Sequence, residues 1–252
     1  MGFDIEQYIL GHVQNSREWH LPLLSPIHLP PPLRLHELML LLGSALLIFV
    51  FVVLYRKNSA APSGLTNFLE MVIVYIRDEI AVPSLGKEDG RKLTPLLCTF
   101  FFFILGMNLM GLIPVFSSAT SNLNVTGGLA LVTLSFMIFG SMYKLGFAGF
   151  WKSFIPSGVP LPVCVLLVPI EFLGLFIKAF ALMIRLFANM LAGHIVIMSI
   201  LGLVVLIGFA ALPVVGLAVF ISLLEVFVAF LQAYIFTMLS AMFIGQMYHP
   251  QH

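Results

Sequence analysis

The sequence carries very little charge for its length. Only 9% of its 252 residues are Asp, Glu, Lys or Arg, whereas soluble globular domains carry about 25%. Hydrophobic residues make up 60% of the chain, and the mean hydropathy is +1.08. This composition excludes an ordinary soluble domain and predicts a membrane protein. The net charge of +1 also argues against a nucleic-acid partner.

Cysteine is scarce as well. Cys98 and Cys164 both lie in apolar runs, so the sequence predicts neither a disulfide framework nor a metal site around them. A membrane enzyme would need clustered ligands or nucleophiles, but the membrane histidine His194 stands alone. Four other histidines recur every eight residues, a spacing that fits no helix face: His12, His20, His28 and His36. We therefore expect no metal and no cofactor.

Charge-free runs predict five membrane spans, at residues 38–55, 93–113, 128–143, 161–207 and 212–248. The polar stretch Pro114–Thr126 separates the second span from the third, and a break near Gly208–Pro213 separates the last two. Those last two helices would be roughly 50–60 Å long, well beyond a ~30 Å hydrocarbon core. We expect an all-α polytopic membrane protein, one membrane domain over residues 1–252, that ends in a long, tilted hairpin.

Residues 64–83, "GLTNFLEMVIVYIRDEIAVP", predict an amphipathic helix on the membrane surface. Apolar side chains recur there at helical spacing: Phe68, Val72, Tyr75, Ile76 and Ile80. A short crossing helix is the alternative, but it would place the three adjacent charges of residues 77–79 near lipid.

The positions of Lys and Arg orient the chain. Basic residues collect between the first and second spans and between the third and fourth: Arg56, Lys57, Arg77, Lys87, Arg91, Lys92, Lys144 and Lys152. The stretches 114–126 and 208–213 have none. The positive-inside rule then predicts that the N-terminal segment 1–37 lies outside and the C-terminus inside.

Five ionisable groups remain inside the last hairpin: Glu171, Lys178, Arg185, His194 and Glu225. A charge in mid-bilayer costs from about 2.5 to over 10 kcal/mol, so each of these groups requires a structural or functional explanation. Glu171, Lys178 and Arg185 are seven residues apart and share one helix face. A Glu171–Lys178 ion pair would be loose because the two are about two turns apart.

Folding the hairpin about residue 209 brings partners to equal depth. Arg185 falls beside Gln232, His194 falls beside Glu225, and Asn189 follows Arg185 by one turn. The two amides are equally compatible with simple hydrogen bonding between helices. A static structural pair of His194 and Glu225 also stays open.

Arg185 has no acid within ten residues. Its guanidinium keeps its proton in any protein environment, so it blocks a proton that could otherwise pass from His194 and Glu225 to Glu171. It would also attract a carboxylate from another subunit. The sequence thus predicts a proton route interrupted at Arg185. A secondary ion transporter is the rival, but it should show internal repeats, and none is found.

Several motifs resemble subunit a of the F-type ATP synthases, the stator subunit beside the rotating c ring. They include "FFFILGMNLMGLIP", "TSNLNVTGGLAL", "PIEFLGLFIKAFALMIRLFANMLAGHIV" and "LLEVFVAFLQAYIFTMLSAMFIG". The pattern R-L-F-x-N-M followed by L-Q-A-Y-I-F is specific, and the likeness runs from about Leu38 to the C-terminus. Ala188 stands where glycine is common in that family.

The resemblance implies a role for each site residue. Arg185 matches the family's essential arginine facing the c-ring carboxylate, and Asn189 and Gln232 match polar residues near it. His194 and Glu225 match the outer half-channel pair, with the acid and the histidine exchanged relative to some bacterial members. Glu171 matches an acid of the inner half-channel.

The resemblance also implies partners and a location. They are the c ring, peripheral-stalk b subunits and the lipid of a bacterial inner membrane, within a hetero-oligomeric ATP synthase. This subunit would not bind nucleotide itself.

Overall fold

The computed structural model describes residues 18–19, 27–28, 30, 34–54, 64–113, 116, 118–155, 160–207 and 212–250. Its helices are α1 (Leu35–Phe49), α2 (Leu65–Tyr75), α3 (Val82–Leu85), α4 (Lys87–Gly111), α5 (Leu123–Ser135), α6 (Ser141–Lys152), α7 (Leu161–Ile207) and α8 (Leu212–Tyr248). Helical π turns follow α1, α2 and α5, at Val50–Leu54, Ile76–Ala81 and Phe136–Gly140. A 3₁₀ turn spans Ala119–Ser121, and strands β1 (Glu18–Trp19) and β2 (Ile27–His28) pair antiparallel.

Parts of the predicted organisation lie outside the described residues. They are most of the N-terminal segment 1–37 with His12 and His20, positions 114–115 and 117 of the first break, and positions 208–211 of the second.

Five helical stretches are long and apolar enough to cross a membrane: Leu35–Val52, Lys87–Gly111, Leu123–Lys152, Pro162–Val204 and Leu212–Tyr248. This confirms the prediction of an all-α polytopic membrane protein with five spans. The segment formed by α2, its π turn and α3 is helical, as predicted, and is not among the five.

Helix α4 begins at Lys87, ahead of the predicted Leu93, and its first turns are charged. Gly86 adopts a φ of +81°, which ends α3 and lets a new helix start. Glu88 and Asp89 then fall in the first turn, where the helix dipole favours negative side chains. A charge-free run therefore marks the span but not the start of the helix.

The π turn after α2 contains the three adjacent charges. Arg77 donates two hydrogen bonds to Asp78, at 2.7 and 2.9 Å. This contact holds the pKa of the Asp78 carboxyl below its usual value. Ile76 and Ile80 on the same turn are buried, whereas Phe68 and Tyr75 are about half exposed.

The chain divides into two compact units. Unit 1 comprises Met1–Val53, Phe102–Val125 and Leu186–Ala233. Unit 2 comprises Leu54–Phe101, Thr126–Arg185 and Tyr234–His252. The division cuts α7 directly after Arg185 and cuts α8 directly after Ala233, so each long helix contributes to both units.

Each unit has its own packing. In unit 1, Leu35 and Met39 of α1 form a buried cluster with Met107 of α4 and Ala119. In unit 2, the Thr133 hydroxyl of α5 lies 3.1 Å from the Ser240 hydroxyl of α8. Gly245 of α8 also approaches the Ser84 backbone carbonyl so closely that any side chain there would collide with it.

Candidate functional site

Glu225 lies against the backbone of α7 at Gly193. A Cβ atom at Gly193 would overlap the Glu225 carboxylate, so only glycine leaves room for the acid at this position. The contact joins α7 and α8 one residue before His194, in agreement with the register expected for the hairpin. Glu225 is half-buried, and its Oε2 atom is buried with no hydrogen-bond partner among the described residues. A membrane carboxylate in this setting is a candidate for proton binding.

His194 is buried in unit 1, with 5% of its surface exposed. It lies within electrostatic range of a second histidine, His36, near the start of α1. His36 is itself only 2% exposed, and its Nδ1 lies 3.3 Å from the Asn122 Nδ2. From sequence, His36 is one of four regularly spaced histidines without an assigned function, because no spacing signal connects it to the hairpin.

A buried polar network occupies the same unit. The Thr120 hydroxyl donates to Asn108 Oδ1 at 2.7 Å and lies 3.0 Å from the Ser118 hydroxyl. Asn108 Nδ2 is buried and has no hydrogen-bond partner among the described residues. A Cβ at Gly111 would collide with Ser118 and with Met190 of α7. The glycine therefore lets both side chains pack against the end of α4. The motif "GMNLMG" thus contains the polar Asn108, which binds Thr120, and Gly111, which leaves room for Ser118.

Asn189 and Gln232 are partly buried. No side-chain hydrogen bond joins either amide to another residue in the part of the chain that the structure describes. The interhelical hydrogen bonding considered for them from sequence is therefore absent within these residues.

Arg185 is the last residue of unit 2 along α7, and its side chain is exposed. Within the described ranges, no residue forms a hydrogen bond or an ion pair with it. The arginine is thus accessible on a helix long and apolar enough to span a membrane.

Lys178 does not pair with Glu171. Its Nζ donates instead to Gln246 Oε1 of α8 at 2.9 Å and lies 5.4 Å from the centre of the Phe243 ring. The loose Glu171–Lys178 pair considered from sequence is therefore not formed. Seven helical residues span about 10 Å along the axis, and the facing amide of α8 is nearer than the acid on the same helix.

Glu171 borders an open cleft of about 850 Å³ in unit 2. Among its lining side chains are Glu79, Glu171, Lys178, Tyr234, Gln246 and His249. On α8 the lining runs from Tyr234 to Met247, which corresponds to about 20 Å of helix. The cleft therefore follows α8 as far as Tyr234, two residues from Gln232. The contribution of Glu79 was not foreseen, because it comes from the segment predicted to lie on the membrane surface.

His249, directly after α8, lines this cleft and makes polar contacts there. His249 Nε2 lies 2.9 Å from the Leu85 carbonyl oxygen and 3.0 Å from Lys144 Nζ. Lys144 also forms an ion pair with Asp89. These contacts connect the end of α8 to α3, α4 and α6. No group of three or more metal-ligating side chains occurs within the described ranges.

The comparison with protein families identifies the chain's relatives. The model of the ATP synthase A chain family matches residues 38–245. The chain belongs to the ATP synthase A chain family. This confirms the resemblance found from the motifs, and the matched region contains Glu171, Arg185, Asn189, His194, Glu225 and Gln232.

Curated members of the ATP synthase A chain family are similar over most of this chain. ATP synthase subunit a of Anaeromyxobacter dehalogenans strain 2CP-C is 48% identical over 83% of the chain and 56% of the relative. The protein of that name from Myxococcus xanthus is 45% identical over 83% of the chain and 71% of the relative. That of Chloroherpeton thalassium is 40% identical over 96% and 77%. The chain thus spans about half the length of the first of these relatives.

Proposed function

We propose that the chain is the ion-conducting stator subunit of the membrane sector of a rotary ATP synthase. Protons pass through it to and from carboxylates on a ring of c subunits, and this flow drives ATP synthesis. Two offset half-channels meet the ring, and Arg185 separates them. Arg185 acts on the ring carboxylate directly, whereas the subunit itself binds no nucleotide.

The exposed and unpaired state of Arg185 within the described residues carries this proposal. A guanidinium stays charged at any accessible pH, and a charge in a membrane span is costly unless it is compensated. This chain offers Arg185 no acid among those residues. A carboxylate on a moving neighbour would supply the missing charge, release its proton near the arginine, and prevent a direct leak.

We assign the two half-channels to the two groups of polar residues that lie on either side of Arg185 along α7. On one side, Glu225, His194 and their buried polar neighbours receive protons. On the other, the cleft bordered by Glu171 exchanges them with bulk water. Asn189, one helical turn after Arg185, and Gln232, expected at the same depth on α8, contribute polar groups close to the arginine.

The distribution of basic residues supports the orientation. Eight Lys and Arg residues lie in unit 2 outside the final hairpin, against Arg17 and Arg34 in unit 1. The positive-inside rule then assigns the Glu171 cleft to the inner side and Glu225 to the outer side of a bacterial inner membrane.

The surface for the c ring lies on the two long helices. Only 17% of the apolar window of α7 and 6% of that of α8 is buried within the protein. Exposed side chains on α7 such as Ile177, Phe180 and Ile184 precede Arg185 in sequence. We assign this surface to the ring and to lipid, and we expect peripheral-stalk b subunits to complete the stator.

Replacing Arg185 by alanine tests the function. In vesicles that contain the whole synthase, Arg185→Ala should lower proton-driven ATP synthesis to less than about 1% of its normal rate, because the group that discharges the ring carboxylate is lost. The matched control is Arg77→Ala, which removes an arginine that pairs with Asp78 outside the spans. Normal synthesis by Arg185→Ala in an assembled complex would refute the proposal.

A further inference from the structure

His36 is a buried ionisable group to which the proposed function gives no role. It lies near the start of α1, where the first predicted span begins, and only 2% of its surface is exposed. Ionisable side chains buried in membrane spans are rare and commonly mark ion pathways. Its neighbours are polar groups of the unit that holds Glu225.

The contacts of Asn122 fix how His36 is held. Asn122 Oδ1 accepts a hydrogen bond from the Asn124 backbone N–H at 2.9 Å. The Nδ2 group of Asn122 is therefore the one that faces His36, and it donates to His36 Nδ1 at 3.3 Å. The neutral imidazole consequently carries its proton on Nε2. Asn122 thereby fixes the orientation of the ring.

The charged surroundings of His36 are few. His194 on α7 lies close enough for a charge on one ring to oppose a charge on the other, and Glu225 lies against Gly193, the residue before His194. On its own helix, Glu37 accepts a hydrogen bond from the Arg34 backbone N–H at 3.1 Å. The neighbouring stretches of α4 and of residues 118–125 contain no Asp, Glu, Lys, Arg or His. Their polar side chains, with Thr120 bonded to Asn108, are uncharged.

We propose that His36 is a further proton-carrying residue of the outer half-channel, which relays protons toward His194 and Glu225. The inference rests on the proposed function and extends it to α1. A proton that arrives at Nδ1 forms an N–H bond there and displaces the Asn122 amide. Loss of one proton from the imidazolium, from either nitrogen, returns the neutral ring, so each cycle moves one proton and needs no other reactant.

The test uses the whole synthase in vesicles with the outer pH varied. His36→Gln keeps an acceptor for Asn122 but carries no proton. We expect proton-driven ATP synthesis to fall by about tenfold at an outer pH near 8, where protons are scarce. The deficit should shrink at an outer pH near 6. His28→Ala, a histidine of the β1–β2 pair, is the control and should keep the normal pH profile.

A second variant separates proton transfer from packing. His36→Ala should be as slow as His36→Gln, and added imidazole should restore part of its rate. If His36→Gln assembles and matches the unsubstituted protein at every outer pH, the relay role is overturned, whatever the rate of His36→Ala. If His36→Gln does not assemble, absence of imidazole rescue in His36→Ala overturns it instead.

Arg185→Ala is measured in the same vesicles so that the two proposals are judged separately. Loss of synthesis in Arg185→Ala with normal His36 variants would overturn only the relay. Normal synthesis in Arg185→Ala would overturn the function on which the relay rests.

Discussion

In unit 1 the ionisable histidines of the spans are buried, and Glu225 is half-buried against the α7 backbone. In unit 2, Glu171 and Arg185 are exposed, and Glu171 borders an open cleft. Under the proposed function, a proton in unit 1 would therefore pass between side chains or a few confined waters. In unit 2, bulk water can enter the open cleft. Residues of unit 1 should consequently be far less replaceable than those of unit 2.

The largest expected difference concerns the two glutamates. Glu225→Gln should lower proton-driven synthesis by about a hundredfold, because Glu37 of unit 1 is instead hydrogen-bonded at the start of α1 and does not replace it. Glu171→Gln should lower it by only about threefold, because water and Glu79 share its cleft. Both are measured as ATP synthesis and as passive proton conduction through membranes stripped of the catalytic sector.

Equal losses in the two variants would contradict the comparison. Aspartate substitutions test the difference between the two sites further, because each keeps a carboxylate on a shorter side chain. Glu171→Asp should retain nearly full activity in the open cleft, whereas Glu225→Asp should not, since its carboxylate is drawn back from the α7 backbone.

A smaller effect is expected from a single methyl group. Gly193→Ala adds a Cβ atom that overlaps the Glu225 carboxylate and must displace it. We expect synthesis to fall by about tenfold, with the complex still assembled. Gly174→Ala is the matched control on the same helix, because its Cβ would meet no atom within 4 Å. Identical behaviour of the two alanine variants would show that the Gly193–Glu225 contact has no part in conduction.

The smallest effect on activity is expected from single cysteine substitutions that report water access. After Cys98 and Cys164 are replaced by alanine, single cysteines are introduced at Ser84 and Ser153 in the cleft, or at the fully buried Ser118. A small water-soluble thiol reagent should label the two cleft positions at least about tenfold faster, since only a solvated thiol forms the reactive thiolate readily. Faster labelling at Ser118 than at Ser84 would reverse the assignment of the open side.

The sequence predicts the spans well because the absence of charge over about 20 residues reflects the bilayer itself. It also places Glu225 at the level of His194, since two helices joined by a short break have one antiparallel register. Helix starts are less predictable, as α4 shows, because Gly86 and the acids of its first turn begin the helix ahead of the apolar run.

Contacts between distant segments could not be derived in this way. His36 meets Asn122 across 86 residues of sequence, and Glu79 reaches the cleft from a separate helix. Lys178 binds Gln246 because the neighbouring helix presents a closer oxygen than Glu171 does. Glycine offers a usable signal in retrospect: Gly193 directly precedes His194, and Gly111 follows Asn108 by three residues.

A density map of the intact membrane complex tests the central claim most directly, through the nearest carboxylate to the Arg185 guanidinium. We expect this carboxylate to belong to a c subunit of the ring. This expectation would be contradicted by an Arg185 side chain held in an ion pair with an acid of its own polypeptide, or directed away from the ring.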